Sequence, residues 1–307
     1  FMGTPDFAVA SLKALVEGGY CVVGVVTMPD KPMGRHGSVL QASPVKQYAA
    51  AQGLRVLQPE RLSDPAFVDE LRTLRADLQI VVAFRMLPRV VWEMPRLGTF
   101  NLHASLLPQY RGAAPINWAV IHGDKETGVT TFFLRHEIDT GDIILQRRVP
   151  IAETDDAGTV HDRLMAIGAA LVVETVDRII DHDGHVETTE QETLATDTAP
   201  LRDAPKIFRD TCHIDWCQSF IRGLAPYPAA WTEILSADGR RMALKVFRSE
   251  RIAEPHALSP GAIRTDGRRH LDVATEDGFL RLLDVQPAGK RRMTADNGTN
   301  VSACCMA

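Results

Sequence analysis

The chain has 307 residues, 45% of them apolar and 24% charged, with a formal net charge of −5. No apolar run is long enough to span a bilayer as a helix, which leaves a soluble globular protein with length for two domains and a sizeable core. Residues 201–307 carry 16 Lys and Arg against 13 Asp and Glu, and the rest 18 against 26; a polyanionic partner for the C-terminal part and an ordinary mixed surface both fit that balance.

In chain order, "FMG" reads as the end of a buried strand. Thr4 and Pro5 then form an N-cap and first-turn pair for a helix through Val16. "CVVGVVT" (21–27) is a β-branched run of the kind buried on both faces of a parallel sheet. A Pro- and Gly-containing loop follows over 28–42, and Ser43, Pro44 and Gly53 bracket a second helix. "LRVLQP" is a short strand, "SDPAFVDELRTLRAD" an amphipathic helix, "LQIVVAF" (78–84) a buried strand and "GTFNLH" (98–103) another. "APINWAVIHG" reads as helix, with strands near 129–135 and 143–149 and a long helix over 159–181.

This β-α-β rhythm predicts an α/β protein with a doubly wound, mainly parallel, Rossmann-like sheet. Residues 1–185 are assigned to that domain and 186–206, polar and rich in Thr and Glu, to a linker. Over 207–307 short alternating strands end at Asp-Gly turns, which predicts a C-terminal OB-like β-barrel.

Phe1 is not an initiator, so a few native residues are expected to precede it, and no signal or transit segment is evident in what remains. Cys21, Cys212, Cys217, Cys304 and Cys305 form no disulfide framework, which points to a reducing compartment. Cys212, His213 and Cys217 lack a second ligand pair at zinc-like spacing, so no metal is expected.

The chemistry concentrates in "FNLHASLLPQYRGAAP" (100–115) and "HEIDTGDII" (136–144). Asn101 and His103, two apart on a strand, point to one side near its carboxyl end, where ligands bind in such sheets. Singly, each suits a structural role, and Asp139 before Thr140-Gly141 suits an Asx-turn. Together, an amide and an imidazole can stabilise a developing oxyanion while a carboxylate orients the imidazole or takes a proton from an attacking amine. No Ser or Cys is placed as a nucleophile, so direct acyl-type transfer between two bound substrates fits best. "GTPDFA" lacks the G-x-G-x-x-G fingerprint of a nicotinamide-dependent dehydrogenase. A non-catalytic RNA-binding module is the other rival.

The run N-L-H-A-S-L-L-P-x-Y-R-G-A-A-P with I-D-T-G-D downstream resembles the signature of the folate-dependent formyltransferases. "FMGTPDFA", "KPMGR", "APKI", "HIDW" and "IRGLAPYPAA" extend the resemblance over nearly the whole chain, toward the branch acting on methionyl-tRNA. It implies transfer of the formyl group of 10-formyltetrahydrofolate to the α-amino group of initiator methionyl-tRNA. A monomer of the bacterial cytoplasm is expected, the alternative being an organellar enzyme whose transit segment was removed. Asn101 and His103 would stabilise the oxyanion, and Asp139 would position His103 and assist proton removal. Ser105, Leu106, Leu107 and Pro108, with Phe84, Met86 and Leu87, would line the folate slot.

On the tRNA side the resemblance implies that the loop carrying Lys31, Gly34, Arg35, His36 and Gly37 inserts at the acceptor end, with Arg35 matching the family's arginine. Lys206, Arg209, Lys290, Arg291 and Arg292 are candidate phosphate contacts, each of which taken singly better suits an ordinary surface charge. Ala104, the segment Phe84-Arg85-Met86 and "PYPAA" depart from positions where the family usually has Gly. A sugar-amine formyltransferase or a formyltetrahydrofolate hydrolase would keep the same Asn-x-His and Asp set.

Overall fold

The computed structural model describes residues 1–33, 39–194, 200–235, 241–266 and 270–295. Gly34, Arg35, His36, Gly37, Cys304 and Cys305 lie outside them. The chain divides into two compact units: residues 1–115, 126–150 and 161–204, and residues 116–125, 151–160 and 205–307.

Elements follow in the order β1 (Met2–Gly3), α1 (Asp6–Glu17), β2 (Val25–Val26), β3 (Lys31–Met33), β4 (Val39–Gln41), α2 (Pro44–Ala51) and β5 (Val56–Leu57). Next come α3 (Pro65–Thr73), β6 (Gln79–Val82), α4 (Arg89–Trp92), β7 (Thr99–His103), β8 (Arg111–Gly112), α5 (Pro115–Ile121), β9 (Glu126–Phe133), β10 (Ile143–Pro150) and α6 (Ala157–Asp181). The remainder is β11 (Asp203–Ala204), α7 (Gln218–Leu224), β12 (Ala230–Leu235), β13 (Arg241–Ile252), β14 (Ile263–Thr265), β15 (Leu271–Thr275), β16 (Gly278–Pro287) and β17 (Met293–Thr294).

In the first unit the described residues form a seven-stranded sheet ordered β10-β9-β7-β6-β1-β2-β5. The strands from β5 to β7 run parallel, and β9 and β10 add antiparallel. The reversal has a simple cause. Only nine residues join β9 to β10, fewer than a parallel crossover needs. The chain order reverses on either side of β1, so the crevice beyond the carboxyl ends of β1 and β6 is where this architecture takes ligands. Fully buried Met2, Leu12, Phe100, Phe132, Leu164 and Ile179 build the core around the sheet.

Local signals act as expected at α2, where Ser43 Oγ accepts from Lys46 N at 3.1 Å and Pro44 opens the helix. At α3, Asp64 Oδ1 accepts from Ala66 N at 3.0 Å. Each such cap stabilises its helix by about 1 kcal/mol.

Three expectations change. Pro5 is extended, with ψ 176°, and occupies the cap position itself, so α1 starts one residue late and without a side-chain cap. The 21–27 run keeps only Val25–Val26 as strand, because its neighbours β1 and β5 are also two residues long. Residues 31–33 and 39–41 are not simple loop but pair antiparallel, Lys31 opposite Gln41. Pro32 is tolerated there because a two-stranded ribbon has outward-facing edges.

In the second unit the strands pair antiparallel in the order β12-β13-β16-β15-β14, with β17 on β16. Ile221 and Leu224 of α7 pack with Leu244, Val246, Val273, Leu280 and Val285 into its core. That short helix, which the sequence reading did not separate from its surroundings, seats Gly223 where an added Cβ would stand 2.4 Å from Ile121. Among the described residues no helix is long and apolar enough to cross a membrane.

Candidate active site

The site is built on β7. Asn101 lies between Val81 of β6 and Phe132 of β9, and His103 lies opposite Thr130 of β9. Both therefore face the same side at the carboxyl end of the parallel strands, as their spacing requires. The β6 pairing also sets the turn that begins at Ala83 beside this strand end. Ala83 itself is left-handed, with φ 47°.

His103 is 7% exposed. Its Nε2 lies 2.8 Å from the Tyr110 carbonyl oxygen. A carbonyl only accepts, so this nitrogen carries the proton in the neutral ring and Nδ1 presents a lone pair. Nδ1 stands 3.9 Å from Asp139 Oδ2. The same Oδ2 accepts from Gly112 N at 3.0 Å, and Asp139 holds a left-handed backbone with φ 55°. With Nε2 committed, Nδ1 is the position at which the ring can take a proton, and only a ring protonated there can donate from it.

Asn101 Oδ1 is buried and has no partner among the described residues. A buried amide with an unmet hydrogen-bonding atom at a strand end is a group awaiting a ligand. Its carboxamide can turn to present either atom, so it suits a site that must meet a carbonyl oxygen as that oxygen gains charge.

The segment after β7 is held from two sides. Ser105 is fully buried and its Oγ donates to the Gln109 carbonyl at 2.6 Å. Thr130 Oγ1 donates to the Ser105 carbonyl at 2.7 Å and accepts from Leu107 N at 3.2 Å. Gln146 Nε2 donates to the Leu107 carbonyl at 2.8 Å and to Thr130 Oγ1 at 2.9 Å. Leu107 packs with Phe132 and Ile143, and the Leu107-Pro108 peptide is cis. Leu106 is half-buried and would lie 2.4 Å from a Cβ placed on Gly128, so that glycine makes room for it.

Of the other residues expected at the folate slot, Leu87 is buried and Phe84 packs against the same cluster of Leu62, Phe67 and Val91. Met86 is 73% exposed, so it faces solvent rather than the core. Between them Arg85 donates from Nη1 to the Glu60 carbonyl at 2.6 Å and from Nη2 to the Pro59 carbonyl. Burial holds its guanidinium pKa below the usual arginine value. An arginine thus supplies by side-chain bonds the fixed turn that a glycine-containing segment would reach by backbone freedom.

The described cationic candidates fall in both units. Lys31 is exposed on β3 of the first unit. In the second unit Lys206 Nζ lies 5.5 Å from the centre of the exposed Phe208 ring, and the Arg209 guanidinium lies 5.0 Å from that of Trp231. Lys290 and Arg291 are exposed, while Arg292 is engaged by Asp284 at 2.5 Å and by the Phe247 ring.

Tyr110, Gly112, Thr130 and Gln146 entered the site without being singled out in the sequence. The first two lie inside the quoted 100–115 run. Thr130 and Gln146 sit on ordinary strands, and only the pairing of β9 with β10 brings them under Leu107. Among the described residues no group of three or more His, Cys, Asp or Glu is arranged to hold a metal ion.

An Asn-x-His strand end facing a loop carboxylate on an open α/β sheet defines a class. The chain belongs to the formyl transferase family, whose N-terminal domain matches residues 1–176 and whose C-terminal domain matches residues 206–302. Among its relatives, the methionyl-tRNA formyltransferase of Parabacteroides distasonis is 67% identical over 98% of this chain and 94% of its own length. That of Phocaeicola vulgatus is 65% identical over 95% and 92%, and that of Porphyromonas gingivalis 50% identical over 98% and 94%. Among solved structures, a sugar 3N-formyl transferase crystallised with dTDP and 5-N-formyl-THF is similar with a TM-score of 0.61 at 16% identity, covering 94% of this chain and 97% of its own. The N-formyltransferase of Helicobacter canadensis, in complex with folinic acid and dTDP-3-aminofucose, gives 0.60 at 19% identity, covering 95% and 98%. At such identity these two speak for the fold alone.

Proposed function

We propose that this protein transfers the formyl group of 10-formyltetrahydrofolate to the α-amino group of methionine on initiator tRNA, as a monomer in the bacterial cytoplasm. The observation that carries the reading is the match to methionyl-tRNA formyltransferases at 67% identity across 98% of the chain, both family domains included. The geometry supplies a consistent chemistry.

In that chemistry the slot between Ser105–Pro108 and the Phe84–Leu87 segment receives the folate and presents its formyl carbon to Asn101 and His103. Asp139 assists removal of the ammonium proton, and the free amine attacks the formyl carbon. A new C–N bond forms and the carbonyl electrons move to oxygen, where the Asn101 amide donates to the oxyanion. The second amine proton passes to His103 Nδ1, and the imidazolium is held between Asp139 and the Tyr110 carbonyl. When the C–N10 bond of the folate breaks, that proton goes to the departing nitrogen. Holding both reactants in one site replaces a bimolecular encounter with an oriented one.

Lys31 and Arg35 in the first domain (1–185), Lys206 at the end of the linker (186–206), and Lys290 and Arg291 in the second domain (207–307) are the proposed phosphate contacts. The decisive experiment supplies the protein with 10-formyltetrahydrofolate and, in turn, charged initiator tRNA, amino sugars and water. Formylmethionyl-tRNA is the expected product. Formylation of a sugar amine alone, or release of formate alone, would overturn the reading.

A further inference from the structure

Gln191 is fully buried, far along the chain from the catalytic motifs, and takes no part in the chemistry above. Its Nε2 donates to two backbone carbonyls of the acidic loop, Asp139 O and Gly141 O, both at 2.8 Å. Its Oε1 accepts from Arg111 Nε at 3.0 Å and Nη2 at 2.7 Å. The orientation of this amide is not interchangeable. A guanidinium only donates and the carbonyls only accept, so a turned amide would face like against like at every contact.

Arg111 is itself fixed by the chain. It sits on β8, which pairs in parallel with β11 so that Arg111 lies opposite Asp203 and Gly112 opposite Ala204. The next residue, Gly112, gives its N–H to Asp139 Oδ2. One two-residue strand therefore grips the acidic loop twice, by Gly112 at the carboxylate and by Arg111 through Gln191 at the backbone. The loop needs such a grip, because Asp139 is held left-handed, a conformation costing a non-glycine residue about 1 kcal/mol or more.

We infer that Gln191 and Arg111 are positioning residues for formyl transfer, clamping the Asp139–Gly141 backbone so that the Asp139 carboxylate stays against His103 Nδ1. The inference rests on the formyltransferase reading. In a clamp of this kind Arg111 reaches the loop backbone only through Gln191, so once Gln191 is lost the further loss of the Arg111 side chain changes nothing.

The test uses the full-length protein with 10-formyltetrahydrofolate and charged initiator tRNA. Gln191→Met keeps the volume and removes every polar contact; Gln191→Glu keeps the Arg111 contact and turns an acceptor onto the two carbonyls. Both are expected to lower kcat about 10- to 100-fold, with KM for either substrate changed less than about threefold. Arg111→Met is expected to lower kcat by no more than Gln191→Met does, and the double variant to fall no further than Gln191→Met alone. A nitrogen-resolved NMR measurement of His103 should show altered Nδ1 signals in the variants.

If Gln191→Met fails to fold, Gln191→Glu decides. Folded variants with wild-type kcat, additive losses in the double variant, or a lowered melting temperature with unchanged kcat would overturn the clamp. Absence of transfer by the wild-type protein would instead overturn the functional reading on which it rests.

Discussion

His103 and Asp139 meet at 3.9 Å between Nδ1 and Oδ2, near one another without a direct hydrogen bond. The other ring nitrogen is committed to Tyr110, so the face toward Asp139 is the one available for proton traffic. His103→Ala is therefore expected to lower kcat by about 10²- to 10⁴-fold while tRNA affinity stays within about twofold. Single-turnover kinetics beside filter binding would check both, and full turnover by the variant would remove His103 from the mechanism.

Asn101 gives a separable expectation, since in the proposed mechanism its amide acts on the oxyanion rather than the proton. Asn101→Ala should cost about 10²- to 10³-fold in kcat, the scale seen when one oxyanion donor is lost. Its KM for the formyl donor should move little, because the contact strengthens only as charge develops. A variant with raised KM and preserved kcat would show Asn101 to be a ground-state binding group.

The brace under Leu107 predicts a different signature. Gln146→Ala removes the donor to the Leu107 carbonyl and to Thr130 Oγ1, loosening the proposed folate wall without touching the proposed reacting groups. Loss of hydrogen bonds worth about 1 kcal/mol should raise KM for 10-formyltetrahydrofolate about fivefold with kcat nearly intact. Steady-state assays varying the folate would decide, and a pure kcat defect would count against the assignment of Ser105–Pro108 to that slot.

How much of this was legible beforehand divides along a physical line. The parallel strands, the cap at Ser43 and the shared face of Asn101 and His103 follow from short-range rules of period and turn chemistry. Asn101, His103 and Asp139 could be picked out as candidates because they lie within two compact motifs. Gln191, Thr130 and Gln146 were not, because their partners lie 16 to 80 residues away and only strand pairing and loop return bring them together. The 31–41 ribbon was obscured by Pro32, which reads as a breaker along the chain yet costs nothing on an edge. Local periodicity carries no information about such meetings.

Gly141 follows from the same loop. A Cβ there would stand 1.6 Å from the Phe133 carbonyl oxygen, a backbone atom that cannot turn aside. Gly141→Ala must therefore displace the loop that carries Asp139, at a cost of about 3 kcal/mol if the fold yields locally. The expected outcome is a folded, destabilised protein with kcat lowered in parallel with Asp139→Asn. Wild-type stability by urea unfolding would contradict it.

Asp272 predicts acid sensitivity in the second unit. Its side chain is 2% exposed on β15, directly opposite Arg264 of β14 and Arg281 of β16. Burial alone would raise its carboxyl pKa, but hydrogen bonds from Arg281, at 2.8 Å, and Arg264, at 3.0 Å, outweigh it and hold the value below the usual range. A carboxylate depressed on folding adds stability above its unfolded pKa of about 3.9 and loses it as pH falls through the folded value. Asp272→Asn should therefore cost about 2–4 kcal/mol at pH 7, since it leaves two guanidinium groups short of their shared partner. The same variant should lose less stability than wild type on going from neutral pH to about pH 3, the interval around the unfolded pKa. Urea unfolding at both pH values tests this. Equal acid losses in the two proteins would show that the cross-strand arginines do not depend on the charge between them.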